Sequence, residues 1–336
     1  MTARGLYDAR PRFVLKNRRF SALLVTDRTN IRYLTGVAAS AGLVLIVGSK
    51  IRLFVDGRYL HAAKKTAFPG IRVDSIECLP EKLKDFRRIG YESENVSVAR
   101  LLNWKRKYKN TKFIHTQGLI ENLRRVKRPG EIRKILGACR ITRKILELIP
   151  GILKPGITEL ETALKITSLA LGFGADGMAF DSIVAFGENT ASPHHHPGAR
   201  AFRSGDIVQI DIGARFQGYC SDFSRVFFTA KKTDEQKEVY AALIRAKRAA
   251  EVLLRPGIGN RALDLAARKV LKQKGYDRQF CHSLGHGLGL SVHEQPTLSK
   301  KARLIRIKKN EVITIEPGVY FDGKWGMRIE DTIIVR

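Results

Sequence analysis

Short apolar, β-branched runs bounded by turn residues recur through the first third of the chain, at Ser21 to Thr26, Leu43 to Val47 and Ile51 to Val55. Runs of this length and composition predict strands. Asp56 to Lys65 and Val98 to Tyr108 read better as helices. The alternation of the two predicts a small α/β domain.

The pattern changes at Lys127–Arg128–Pro129–Gly130, a breaker. Beyond it, Glu131 to Leu148 predicts a helix with Ile132, Leu136 and Cys139 on one face. A chain of 336 residues also exceeds what one hydrophobic core usually serves. We therefore expect two domains, 1–125 and 126–336. Thr158–Glu159–Leu160–Glu161 and Thr233–Asp234–Glu235–Gln236 both match the capping box, which announces two further helix starts. Between and after them the chain turns strand-rich, at Ile207 to Gly213, Tyr219 to Phe228, Glu311 to Ile315 and Met327 to Val335. The order helix, helix, strand pair, repeated, suggests a duplicated unit in the second domain.

With 44% hydrophobic and 28% charged residues the chain is globular rather than disordered. Its longest apolar run, Ala38 to Val47, is too short to span a bilayer and too far from the N-terminus for a signal peptide. A cytoplasmic protein with no membrane partner is the expectation. Cys78, Cys139, Cys220 and Cys281 form no C-x-x-C pair and read as reduced, small buried side chains.

The net charge of +29 is extreme, and it is uneven: residues 1–130 carry 28 Lys+Arg against 10 Asp+Glu, the remainder 33 against 22. Such a field attracts polyanions. Lys105–Arg106–Lys107 and Arg124–Arg125–Val126–Lys127–Arg128 nevertheless read as solvated helix faces, lacking the aromatic interleaving of a nucleic-acid platform. Nucleic acid stays as a minor alternative partner.

Candidate chemistry concentrates in five segments: Ile210–Asp211–Ile212–Gly213, Tyr219–Cys220–Ser221–Asp222, Ser283–Leu284–Gly285–His286–Gly287, Ile315–Glu316–Pro317–Gly318 and Arg328–Ile329–Glu330–Asp331. A carboxylate flanked by isoleucines rarely survives unpaired in an apolar strand, so something positive must compensate it; for any one of these segments alone, a salt bridge or a solvent-facing strand position is the plainer reading, and metal binding depends on whether the five converge. The chain has no G-x-S-x-G elbow, and His293–Glu294–Gln295–Pro296–Thr297 lacks the second histidine of H-E-x-x-H. Gly318 to Lys324 nearly spells a phosphate-binding loop, but Trp325 stands at the hydroxyl position and a strand follows where a helix is required.

Together with Phe180–Asp181–Ser182–Ile183–Val184–Ala185, Pro193–His194, His282 and Val292–His293–Glu294, these segments resemble the prolidase and aminopeptidase P family in order and spacing through residues 126–336. Residues 1–125 are similar to that family's creatinase-type N-terminal domain, mainly through Asn30–Ile31–Arg32–Tyr33–Leu34–Thr35–Gly36. The resemblance implies a two-domain α/β protein. Its C-terminal domain would be a pita-bread (creatinase/aminopeptidase) fold with antiparallel sheets and flanking helices, preceded by the small N-terminal domain. It also implies two divalent metals held by Asp211, Asp222, His286, Glu316 and Glu330, with Asp222 and Glu330 bridging. Manganese or cobalt suits oxygen donors with a single imidazole, with zinc or iron as alternatives.

The same resemblance makes Glu316 a proton relay and His194 and His293 substrate contacts, while His195 and His196 read as loop residues. The implied reaction is hydrolysis of the bond preceding proline, on peptides with proline at the second position, by a homodimer. Many prolidases carry an arginine shortly after the His–Glu motif, where this chain has Thr297; that favours the aminopeptidase over the dipeptidase, with Arg303 or Arg306 as substitutes in the latter. A rival of another class is a metal-free binding module on the same fold, and creatine hydrolysis is a remote third.

Overall fold

The computed structural model describes residues 19–336, so the first 18 residues of the expected 1–125 domain lie outside the described residues. The chain separates into two compact units, the change falling between Arg124 and Arg125.

The first unit is built on a six-stranded mixed sheet. β1 (Ala22–Val25) leads through α1 (Arg28–Thr35) to β2 (Gly42–Val47), which lies antiparallel to it and folds back onto β3 (Lys50–Val55). α2 (Gly57–Thr66) crosses over to β4 (Arg72–Ser75), parallel to β3. After α3 (Leu79–Leu83), β5 (Arg88–Glu92) pairs parallel with β1; α4 (Val98–Lys107) then returns the chain to β6 (Lys112–Thr116), parallel to β5. Central strands covered on both faces need no polar alternation, and all four residues of β1 are buried. Ala22, Leu24, Leu43, Phe54, Ile89 and Trp104 pack in its core.

The Asn30–Gly36 stretch has a structural role here. Asn30 donates to the buried Glu92 carboxylate at 2.7 Å and accepts from Arg124 at 2.8 Å, while Glu92 also accepts from the Thr26 and Asp27 amides. Burial pushes the Glu92 carboxyl upward in pKa, against these donors. The basic run that begins in the last turn of α5 (Leu119–Arg125) corrects our expectation of a solvated face. Arg124, Arg125 and Lys127 are buried; Arg125 pairs with Glu311 at 2.6 Å and Lys127 with Glu294 at 3.1 Å.

The second unit opens with α6 (Pro129–Ile152) and α7 (Glu159–Gly172), continues through β7 (Gly177–Met178), β8 (Ile183–Phe186), β9 (Ile207–Ile212), β10 (Ala214–Phe216), β11 (Tyr219–Cys220) and β12 (Phe223–Phe228), and then repeats the order. The second pass is α8 (Asp234–Leu253), α9 (Asn260–Gln273), β13 (Gly285–Gly287), β14 (Glu294–Leu298), β15 (Val312–Ile315), β16 (Gly318–Phe321), β17 (Trp325–Arg328) and β18 (Asp331–Ile334). The sheets run β12-β9-β8, β11-β10-β7, β14-β13-β15-β18 and β16-β17, all antiparallel, with α6 and α7 over one hydrophobic cluster and α8 and α9 over another. Both anticipated capping boxes, at Thr158 and Thr233, are formed. Among the described residues no helix is long and apolar enough to cross a membrane.

Three expectations are corrected. Tyr219 to Phe228 and Met327 to Val335 are not continuous strands: each breaks, at Ser221–Asp222 and at Ile329–Glu330. α6 buries Ile135, Ala138, Cys139, Thr142, Ile145 and Ile149, a stripe at helical spacing, whereas Leu136 is 42% exposed because it sits one residue off that stripe. Cys139 and Cys220 are buried, but Cys78, at the end of a surface 3-10 turn, and Cys281, in a loop, are exposed.

Ile145→Ala should therefore destabilise the protein by about 2–5 kcal/mol, and Leu136→Ala by less than about 1 kcal/mol. Urea unfolding of the two variants checks which face of α6 packs.

Candidate metal centre

Strand breaks put the acidic side chains where they can meet. Asp211 lies in β9, but Asp222 fills the gap between β11 and β12, Glu316 that between β15 and β16, and Glu330 that between β17 and β18. Register completes the gathering. Ile315 pairs with Asp331 and Gly318 with Arg328, which sets Glu316 and Glu330 on adjoining strand ends; Asp211 pairs with Ser224. His286 stands mid-β13 between glycines because its neighbours crowd the backbone. A Cβ on Gly285 would lie 2.1 Å from the Thr314 carbonyl oxygen, and one on Gly287 2.2 Å from that of Gln295.

One ligand atom each from Asp222, His286 and Glu330 lies within 4.8 Å of the others. His286 Nε2 is 3.6 Å from Asp222 Oδ2 and 3.6 Å from Glu316 Oε1. Those separations exceed a hydrogen bond, whereas two donors on one ion at about 2.1 Å stand about 3–3.5 Å apart. His286 Nδ1–H donates to the Gly287 carbonyl at 3.0 Å, which leaves Nε2 with its lone pair towards the carboxylates. Asp222 is fixed through its backbone by Thr332, and Glu330 Oε2 accepts from Ser224 at 3.0 Å. Asp211 Oδ1 and Glu330 Oε1 are buried without a hydrogen-bond partner. Buried acceptors are ordinarily satisfied, so these two oxygens suit a cation.

The electrostatics agree. Burial pushes Asp222 and Glu330 well above the usual carboxylate range, and each is raised further by the other acids around it. Glu316 is raised to about 8, again chiefly by burial. His286 is pushed down to about 4 by burial, then by His293, whose ring stands edge-on at 4.3 Å. His293 is lowered by burial, then by His194, an exposed residue in the turn after Pro193.

A cation inside the cluster belongs to the chain itself, and the sequence reading missed it. Arg328 donates Nε to Asp211 Oδ2 at 3.0 Å and bonds the same oxygen through Nη2. It also donates to Ser224, to Tyr320 Oη at 2.7 Å, and to the Pro193 carbonyl at 3.1 Å beside His194. The sequence signal was its place in the Arg328–Ile329–Glu330–Asp331 segment, two residues before a candidate ligand. His282, also unassigned, accepts from Tyr320 Oη at 3.1 Å, and burial pushes it down to about 3. His195 is more than a loop residue: its Nε2 lies 2.7 Å from the fully buried Glu159, which also accepts from the Phe186 and Gly198 amides and from Asn189, and so fixes the loop bearing His194. The capping box assigned its roles to Thr158 and Glu161 and offered no signal for Glu159. Arg306 donates to the Gly257 carbonyl at 2.9 Å.

The comparisons with known proteins concur on both units. The model of metallopeptidase family M24 matches residues 133–336, and that of the creatinase/prolidase N-terminal domain residues 10–126. The chain is 32% identical to an Xaa-Pro dipeptidase of Pyrococcus furiosus, across 93% of this chain and 90% of the relative. Among solved structures it is similar to an Xaa-Pro dipeptidase from Bacillus anthracis, with a TM-score of 0.93 and 30% identity covering 99% of this chain and 95% of the other. It is also similar to an X-Pro aminopeptidase from Thermotoga maritima, with a TM-score of 0.86 and 33% identity over 94% and 93%. The pita-bread fold with its creatinase-type N-terminal domain, expected from the motifs, is borne out.

A carboxyl whose folded pKa is raised stabilises the fold while it holds its proton, and that contribution is lost as pH rises through the folded value. Chelator-treated protein should thus lose thermal stability as pH climbs through about 8, the Glu316 value. Added divalent cation should remove the decline. Melting curves across that range, with and without the ion, test it; a pH-independent midpoint in the chelated protein would contradict it.

Proposed function

The chain belongs to metallopeptidase family M24, and from that premise we propose that it hydrolyses the peptide bond preceding proline, releasing the N-terminal residue of its peptide substrate. Asp211, Asp222, His286, Glu316 and Glu330 would hold two divalent cations, manganese or cobalt by the oxygen-rich donor set, with zinc or iron as the alternatives. What carries this reading is the meeting of Asp222, His286 and Glu330 around buried oxygens that lack a donor. Bound cations supply Lewis acidity towards the scissile carbonyl and lower the pKa of water.

The remaining roles fall to the chain's own groups. Glu316, whose carboxylate stands 3.6 Å from His286 Nε2 in the cluster, can take a proton and pass it to the departing nitrogen. That nitrogen is proline's, a tertiary amide without N–H, so a site that makes no demand for an N–H there suits it. His293, whose ring stands 4.3 Å from that of His286, can donate a hydrogen bond to charge developing near the scissile bond. His194 would contact substrate from its turn, held by the Arg328 bond to Pro193 and by the Glu159 hub.

A second reading, cleavage of Xaa-Pro dipeptides alone, is favoured by the names of the Pyrococcus and Bacillus relatives. Against it stand Thr297 in place of an arginine after the His–Glu motif and the engagement of Arg306 with Gly257. Turnover of Xaa-Pro-Yaa should exceed that of Xaa-Pro; exclusive dipeptide cleavage transfers the assignment to the second reading, and inertness of the manganese- and cobalt-loaded protein towards both defeats the two together. Glu330→Gln should lower bound metal, measured by elemental analysis, and cut kcat/KM at least about 100-fold.

A further inference from the structure

We propose that the end of the first unit's sheet where β5 and β6 begin binds the phosphate backbone of nucleic acid without regard to sequence. The β5–α4–β6 crossover brings the cations together. β5 and β6 are parallel with Arg88 opposite Lys112, so two like charges share one face of neighbouring strands about 4.8 Å apart. α4 runs back to the same end and closes on Lys105, Arg106 and Lys107, and the turn carrying Lys109 is held there by the Lys112 amide donating to Arg87 O at 2.8 Å and by Thr111 Oγ1 donating to Phe86 O at 2.9 Å.

All six side chains are exposed, and among the described residues none of them meets a carboxylate within ion-pair distance. Lys107 has only the Tyr108 ring, at 5.9 Å. The helix C-terminus accounts for a cation or two by its dipole, worth tenths of a kcal/mol each, roughly 0.3–1. It does not account for six unshared positive charges, since like charges opposite one another destabilise a sheet. Folding gains nothing from this arrangement; an external polyanion does.

Among polyanions the geometry favours a diffuse backbone. Trp104 and Tyr108, the rings closest in sequence, are buried against Phe113 and present no face on which a base could stack. Binding therefore rests on phosphate neutralisation and counterion release, which makes it steeply dependent on salt.

The test uses the full-length, metal-loaded protein and a short fluorescent DNA duplex, with anisotropy titrations between about 50 and 200 mM salt. Replacing Lys105, Arg106, Lys107 and Lys109 by glutamine should reduce the slope of log K against log salt by about 3–4 and leave peptidase turnover and the melting temperature unchanged. A control with the same charge change at exposed Lys300, Lys301, Lys308 and Lys309 should keep a slope near that of the wild type. Equal losses in the two variants would assign the binding to net charge alone. Absence of wild-type binding at the lowest salt, or preference for phosphatidylserine vesicles over the duplex, would likewise overturn the proposal.

Discussion

Acidic side chains cannot be brought together inside a protein without positive charge to meet them, and the second unit is organised around that demand. Two carboxylates about 4 Å apart repel by roughly 4 kcal/mol at an effective dielectric near 20. Arg328 compensates Asp211 directly, but it is one guanidinium among four carboxylates. The remainder shows as raised pKa values at Asp222, Glu316 and Glu330 and as buried oxygens without donors. Protons can fill that need at low pH; divalent cations fill it at the pH where a peptidase must ionise its ligands. The fold's oddities follow from the same demand, because a continuous ladder would hold Asp222, Glu316 and Glu330 flat in their sheets. Strands interrupted at those residues release them towards His286.

Arg328 also joins chemistry to positioning. It touches Asp211, Ser224, Tyr320 and the carbonyl beside His194 at once. Ser224 in turn holds Glu330. Displacing Asp211 would therefore disturb the turn that carries His194, and a disturbance of that turn would be felt at Asp211. Glu159 also secures the segment that follows this turn by accepting donors from Phe186, Asn189, His195 and Gly198. The acidic cluster and the turn that bears His194 are thus one hydrogen-bonded network rather than two.

What the sequence disclosed is governed by how local the signal was. Asp211 announced itself because isoleucines flank it, and the two capping boxes because their bonds span three residues. Strand breaks at Asp222 and Glu330 escaped notice because the apolar pattern runs through them; only the partner strands show where pairing stops. The buried stripe of α6 was misplaced by one residue, from Ile135 to Leu136, since both are aliphatic and only the packed face distinguishes them. Arg124, Arg125 and Lys127 looked like solvent-facing charge because their partners, Asn30, Glu311 and Glu294, lie far along the chain. Glu159 was hidden for the same reason.

That last error bears on the net charge of +29. A count treats every lysine and arginine alike, yet the fold divides them by partner. Arg125, Lys127 and Arg328 are interior cations, each matched to a buried carboxylate, and they serve the architecture of the second unit. Lys105, Arg106, Lys107 and Lys109 face water and, among the described residues, have no carboxylate within ion-pair distance, on a helix end and turn that a crossover holds in place. Neighbours in sequence can therefore belong to different classes, and the basic excess of residues 1–130 is not one quantity. The part matched to buried acids is neutralised inside the fold. Arg58, Arg72 and Lys84 are exposed and paired with neighbouring carboxylates, whereas the α4 end and its turn have no such partner among the described residues, and uncompensated fixed charge attracts anions, most strongly those that present many charges on one backbone.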